Sequence, residues 1–386
     1  MKARDEWIAL ASVEGVGEET FPALLAAFGS AGAAFDAVRD GRFQAWFAER
    51  RAADGRAPMS RPAVDNLRAA AANPGERLEA ITELGLWTYT ALDFDYPARL
   101  RDLPNPPFVI HGLGDKSTFQ GSRHVGVVGT RRPTPQGRAL TTNVCARLVE
   151  CAATIVSGLA VGIDGAAHAA TLEHGGTAIG VIGGGHHFPG PRAHIRLRDE
   201  VVASGGAVIS EHHPDSHPTK GTFPRRNRII AALSDAVIVI EAPHKSGALN
   251  TANHALALDR QVFVAPGRIG DWSTAGALAL LRETPARPLV GLDELVADLG
   301  YFDSPVATVV MQGDAPPSRE AALAMLGATE RVVARRLCAG PCGLDLLVTD
   351  TGESPAVVSS AVTLLLMRGW AHAVGPAYVA AGPLAA

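Results

Sequence analysis

The sequence predicts an α/β protein: a Rossmann-like parallel sheet covered by helices, with a small helical domain before it and a winged helix after it. Three observations carry this prediction. Six apolar runs, HVGVVG, ATIVSG, TAIGVIG, GAVISE, DAVIVIEA and QVFVAPG, recur between Ser122 and Leu299, roughly 28 residues or one βα unit apart. A Gly15-Val16-Gly17 turn near the start precedes helical spacing at Phe21, Leu24, Leu25 and Phe28. Three helical patterns and a hairpin-like WAHAVGPAYV close the chain.

The totals agree with several domains. A chain of 386 residues exceeds one ordinary domain. With 47% hydrophobic and 19% charged residues it has the makings of a sizeable core. A formal charge of −4 excludes a wholly basic nucleic-acid coat but not a local basic patch, because binding responds to the local field. The opening MKARDEWIALASVEGVG lacks the apolar centre of a signal peptide. No run of about 18 apolar residues suggests a membrane span. Cys145, Cys151, Cys338 and Cys342 are too few for a disulfide scaffold. Cys338 and Cys342 could supply half a zinc site, but no second pair completes it. The expectation is a cytoplasmic protein with free thiols, no metal and no membrane.

Residues 1–73 form the expected helical domain, SAM- or helix-hairpin-helix-like. Its glycine turn either presents backbone amides to a phosphate or simply joins two helices of a small bundle. RAADGRAPMSRPAVDNLRAAAANPGER reads as a loop and one exposed helix. DFDYPARLRDLPNPPFVIHG is a proline-rich connector entering a strand at Phe108 to His111. Residues 96–300 form the Rossmann-like domain, since continuous apolar strands alternating with helices mean a parallel sheet covered on both faces, with right-handed crossovers. Pro305 to Pro317 reads as a linker. In residues 318–386, helix, turn, helix and a hairpin around Gly375-Pro376 describe a winged helix.

Open parallel sheets bind ligands beyond the carboxyl ends of their strands, so each strand tip is informative. After HVGVVG, Gly129, Thr130, Arg131 and Arg132 leave the strand, Thr134 offers a hydroxyl, and Gly137 opens a helix. A helix start is a natural phosphate seat, and Arg131 can fork onto phosphate oxygens. The spacing matches neither G-x-G-x-x-G nor a P-loop, so phosphate contact is expected without a nucleotide cofactor. Ser157-Gly158 makes a second small turn aimed at the same crevice, and Asp164 is expected to cap the following helix. His168 reads as a helix-surface or core residue. His186, His187, His212, His213 and His217 lack metal-ligand spacing.

The loop after GAVISE ends in Lys220, Phe223, Arg225, Arg226, Asn227 and Arg228 and then enters a helix. Cations at a helix N-terminus oppose its dipole, so an external anion among them is expected. Phe223 offers a stacking platform for an unpaired base, and cations with aromatics hold single strands without reading sequence. Ser246-Gly247 starts another helix at a strand end. Together these tips describe a groove for a polyanion longer than a mononucleotide. Two other readings stand beside this one. A nucleoside-monophosphate hydrolase would use Glu211 or Glu241 as its acid, although both could simply pair with nearby arginines. A duplex-DNA regulator would use the winged helix, although its would-be recognition helix SPAVVSSAVTLLLMRGW carries only Arg368 as a cation.

The segments YPARLRDLPNPPFVIHG, VGVVGTRRPTPQGR, SGLAVGIDGAAHAATLEHGGTAIGVIGGG, FPRRNRIIAALSDAVIVIEA and SGALNTANHALALDRQVFVAPG resemble the DNA-processing protein A (DprA/Smf) family. The resemblance implies a non-enzymatic protein that binds and protects incoming single-stranded DNA in natural transformation and loads the RecA recombinase onto it. It implies a homodimer through the Rossmann-like domain and no cofactor. The family's phosphate-gripping motif falls on Gly129, Thr130, Arg131, Thr134 and Gly137. Its second strip falls on Lys220, Phe223, Arg225, Asn227 and Arg228. One departure is GRIGDWSTAGALALLRE, which lacks the family's Gly-x-Asn-x-Leu-Ile pattern; the expected dimer contact lies there, at Leu278 to Leu281.

Overall fold

Aromatic packing joins the first helices to the sheet. Trp7 meets Phe21 edge-on at 4.8 Å, Phe21 stacks on Phe108 at 4.2 Å, and Trp7 Nε1 donates to the Phe108 carbonyl at 2.9 Å. A computed structural model describes residues 2–55, 57–188, 190–301, 319–340, 342–368, 370–374 and 377–384. The chain divides into two compact units, Met1–Ser304 and Pro305–Ala386. The expected linker from Pro305 to Pro317 and the turn pair Gly375-Pro376 lie outside the described residues.

The first unit opens with helices α1 (Ala3–Ala11), α2 (Thr20–Phe28), α3 (Ala31–Asp40), α4 (Arg42–Asp54), α5 (Arg61–Ala72) and α6 (Glu76–Glu83). Ser30 and Ser60 cap α3 and α5, each Oγ accepting an N–H of the first turn. The helix expected to be exposed is α5, and it is not: Ala63, Val64, Leu67, Ala70 and Ala71 are buried in the helical core. Small alanines fill that face beside Val64 and Leu67, so a segment of low overall hydrophobicity still packs one complete side into the core.

Next come β1 (Trp87–Thr90), α7 (Ala98–Arg101), β2 (Val109–Gly114), β3 (His124–Val128), α8 (Pro135–Glu150), β4 (Thr154–Ser157), α9 (Ile163–Glu173), β5 (Ala178–Val181), α10 (Ile195–Ala203) and β6 (Ala207–Ser210). The unit continues with α11 (Thr222–Leu233), β7 (Ala236–Val239), α12 (Gly247–Ala257), β8 (Gln261–Val264), α13 (Ala275–Glu283), β9 (Arg287–Pro288) and α14 (Leu292–Asp298). The nine strands lie in the order β1-β2-β6-β5-β4-β3-β7-β8-β9. From β6 to β9 every pairing is parallel. The sequence expectation of a wholly parallel sheet needs correction at one edge: β2 runs antiparallel to β6, and β1 antiparallel to β2.

Apolar residues on both sides of each central strand explain the covering. Val125, Val127 and Ile155 pack against Val144 and Leu148 of α8 and Ile163 and Ala167 of α9. On the other face Val128, Val156 and Val237 meet Ile229, Ile230 and Leu233 of α11 and Ala252 of α12. Fully burying each valine, leucine or isoleucine among them is worth about 1.5–3 kcal/mol. Successive strands step outward from β3 through β4 and β5 to β6, and then the chain returns to place β7 on the other side of β3. The crevice of a doubly wound sheet opens at such a reversal, here at the carboxyl ends of β3 and β7. Leu280 is buried in this core and Leu281 packs against it, so half of the expected dimer contact faces inward.

The second unit holds α15 (Arg319–Ala324), α16 (Ala328–Cys338), β10 (Cys342–Gly343), α17 (Leu344–Thr351), α18 (Pro355–Met367), β11 (Ala371–Val374) and β12 (Ala377–Ala380). Its strands form an antiparallel sheet in the order β10-β12-β11. Val333, Leu337, Leu347, Val362 and Leu365 make a core of its own. Among the described residues no single helix is long and apolar enough to cross a membrane, and no group of His, Cys, Asp or Glu could hold a metal.

Candidate nucleic-acid interface

The reversal point carries a cleft of about 550 Å³. Its walls are the loop after β3, with Gly129, Thr130, Arg131 and Arg132; the start of α11, with Lys220, Phe223, Arg226 and Asn227; and the start of α12, with Lys245, Ser246 and Gly247. Arg131, Lys220 and Lys245 are exposed and Phe223 is half-buried. The Arg131 guanidinium lies over the Phe223 ring, 5.6 Å from its centre. Ser246 caps α12, its Oγ accepting from Ala248 N and its carbonyl from Leu249 N, and Gly247 and Ala248 line the same cleft. Asn227 reaches across to α12, donating to the Gly247 carbonyl at 3.2 Å and to Asn250 Oδ1 at 3.1 Å.

Under the cleft floor lies Arg226. The expectation of a groove cation is corrected here, because this guanidinium is 5% exposed. It donates to the Gly158 carbonyl at 2.8 Å and to the Val181 carbonyl. Burial lowers its pKa to about 10, against the pull of Asp164. Asp164 is buried beside it, and burial raises that carboxyl to about 6. Asp164 is not the helix cap: Gly162 holds that position, and the carboxylate accepts from the backbone N–H groups of Ala160 and Gly158. A Cβ at Gly158 would stand 2.5 Å from both Arg226 Nη2 and Asp164 Oδ2, so only glycine lets the two charges close around the turn. Ser157, expected at the groove, is a buried strand residue whose Oγ donates to the Val127 carbonyl at 2.6 Å.

A second correction concerns the helix start after β3. Thr134 caps α8, but the seat is already filled by a carboxylate from the end of β7. Glu241 Oε1 accepts from Thr134 Oγ1 at 2.5 Å, and Glu241 Oε2 accepts from Thr134 N at 2.9 Å. A Cβ on Gly137 would come within 2.5 Å of the Glu241 carboxyl carbon. The positive end of α8 is therefore neutralised from within the chain, and Thr134 and Gly137 hold Glu241 instead of facing the cleft. This also corrects the expectation that Glu241 pairs with arginines.

The residues of the second strip do not share one face. Arg225 and Arg228 turn toward the α1–α2 turn, where they line a separate cleft of about 360 Å³ with Gly15, Val16, Gly17 and Glu18. Arg225 Nη2 meets Glu18 Oε1 at 2.9 Å, and Arg228 Nη2 meets Glu211 Oε2 at 2.6 Å and Glu18 Oε1 at 3.5 Å. The glycine turn thus faces α11. The histidines are structural: His168 is fully buried, His186 Nε2 donates to the His111 carbonyl, and His187 pairs with Asp215. Among the lining residues that sequence reading missed are the cation Lys245 and the aromatic Trp272. Lys245 could have been found from its place beside Ser246-Gly247.

Comparison with known proteins follows the same region. The family model described as DNA recombination-mediator protein A matches residues 87–300. The chain is 39% identical over 206 residues to the DNA processing protein DprA of Bacillus subtilis, covering 53% of this chain and 69% of that one. The X-ray structure of DNA processing protein A from Streptococcus pneumoniae superposes with a TM-score of 0.61 at 29% identity, over 77% of this chain and 99% of that one. A DNA processing protein A from Helicobacter pylori, whose structure was described for its single-stranded DNA binding mode, gives a TM-score of 0.51 at 29% identity, over 56% and 97%.

Proposed function

This chain belongs to the DNA recombination-mediator protein A family, and from that premise we propose that it binds single-stranded DNA along the β3–β7 crevice. It protects the incoming strand and loads a RecA recombinase onto it, acting as a cytoplasmic homodimer through the Rossmann-like domain. The observation that carries the reading is the convergence of Arg131, Lys220, Lys245 and the Phe223 ring on one cleft. The cations there suit phosphates, and the ring suits an unpaired base. The second unit, read as a winged helix, serves a supporting role. Its Arg368 already lies 3.7 Å from Glu330 and over the Trp370 ring, which weighs against duplex readout. Against the hydrolase reading, Glu241 is held by Thr134 at the start of α8 and Glu211 pairs with Arg228.

The test is fluorescence anisotropy with a labelled oligothymidine. The double variant Arg131→Ala/Lys220→Ala should weaken binding of all sequences alike and flatten the salt dependence by about 0.7 for each phosphate no longer neutralised. Affinity and slope equal to the unmodified protein would sink the assignment. RecA loading is read separately, as faster filament formation on a strand coated with single-strand-binding protein.

A further inference from the structure

The wall of the cleft facing outward from β8 carries a residue that neither the family motifs nor the fold requires. Trp272 is 70% exposed and lines the same cleft as Arg131, Lys220, Phe223 and Lys245. Its neighbour Ile269 is 97% exposed. A lone exposed apolar side chain is ordinary, but an indole at the lip of a cationic cleft combines a large flat face with nearby charge.

The loop holding it is ordered by its own bonds. Asp271 N donates to the Arg268 carbonyl at 3.2 Å and Thr274 N to the Asp271 carbonyl at 3.3 Å, and Trp272 begins a short 3₁₀ turn, Trp272–Thr274. A Cβ on Gly267 would sit 2.1 Å from Thr274 Cβ, so this tight return needs glycine there. The indole is therefore presented on a folded turn instead of a free tail. It stands in the GRIGDWSTAGALALLRE segment, where this chain departs from the family pattern.

We infer that Trp272 is a second stacking platform, which holds an unpaired nucleobase at the opposite lip of the cleft from Phe223. This rests on the single-strand reading above and adds to it a specific hydrophobic contact. Base-on-aromatic stacking is indifferent to sequence, and a strand whose phosphates cross Arg131, Lys220 and Lys245 has bases free to turn outward onto both rings.

The full chain and a fluorescein-labelled oligothymidine test this by anisotropy, with tryptophan emission read in parallel. Trp272→Ala should weaken binding roughly five- to hundred-fold, with the salt slope unchanged because every phosphate keeps its cation. Trp272→Phe should recover most of the affinity. Oligothymidine should quench the emission of the unmodified protein, and the Phe variant should lose that quenching while still binding. Unchanged affinity in Trp272→Ala, or equal quenching in Trp272→Phe, would overturn the inference while leaving the crevice assignment standing if Arg131→Ala/Lys220→Ala still binds poorly. Failure of the unmodified protein to bind the oligothymidine would overturn the reading on which it rests.

Discussion

Arg226 shows how a charge can shape a cleft from beneath its floor. Its guanidinium ties the ends of β4 and β5 to α11 through the Gly158 and Val181 carbonyls. Removing it would leave those carbonyls without their donor and the buried Asp164 carboxylate without the nearby positive charge, so Arg226→Ala should cost about 3–5 kcal/mol, read by chemical denaturation. Arg226→Lys should recover little, because one ammonium cannot reproduce a planar fork on two carbonyls. Arg225→Ala should behave differently: its ion pair with Glu18 is exposed, and such pairs contribute about 0–1 kcal/mol. In sequence the four residues from Arg225 to Arg228 look alike in purpose. Helical geometry separates them, since neighbours around a helix point about 100° apart. Arg226 goes under the groove while Arg225 and Arg228 go toward Glu18.

At the scale of elements, the six central strands were readable because each is a continuous apolar run, the mark of a strand buried on both faces. The edges were harder. β9 is two residues long and β1 only four; β2 was legible as the strand entered at Phe108 to His111, but its antiparallel direction was not. The capping of α8 was only half legible: Thr134 announces a helix start, but nothing local says that Glu241, 107 residues later, closes it. This yields a prediction that separates structure from binding. Thr134→Ala should lower stability by about 1 kcal/mol in thermal melts and leave oligothymidine affinity essentially unchanged. A large loss of affinity in a well-folded Thr134→Ala protein would mean that α8 receives a phosphate after all.

Over the whole molecule, buried histidines set the response to acid. Burial lowers His111 to about 3 and His168 and His186 to about 4, from an ordinary 6.5. Each stays neutral in the fold while the unfolded chain takes up a proton, so their contribution is complete above pH 6.5 and is lost as pH falls toward 4. The slope is about 1.4 kcal/mol per pH unit per histidine. Asp164 acts oppositely: raised to about 6, it favours the fold at low pH and loses that contribution as pH rises through 6. Burial lowers His124, His212, His213 and His254 in the same direction, so the balance is a net loss on acidification, and denaturation midpoints at pH 7.5 and pH 5 should show it. His111→Gln should reduce the difference. The two units also predict independence, since the second has its own core; residues 1–304 alone should keep full oligothymidine affinity in the anisotropy assay. The opposite end of the chain is another matter. Through Glu18 the amino-terminal helices grip the flank of α11 whose tip bears Lys220 and Phe223. Removing the first helices would strip that flank of its neighbours, so the cleft wall carried by α11 should soften and oligothymidine affinity should fall with it.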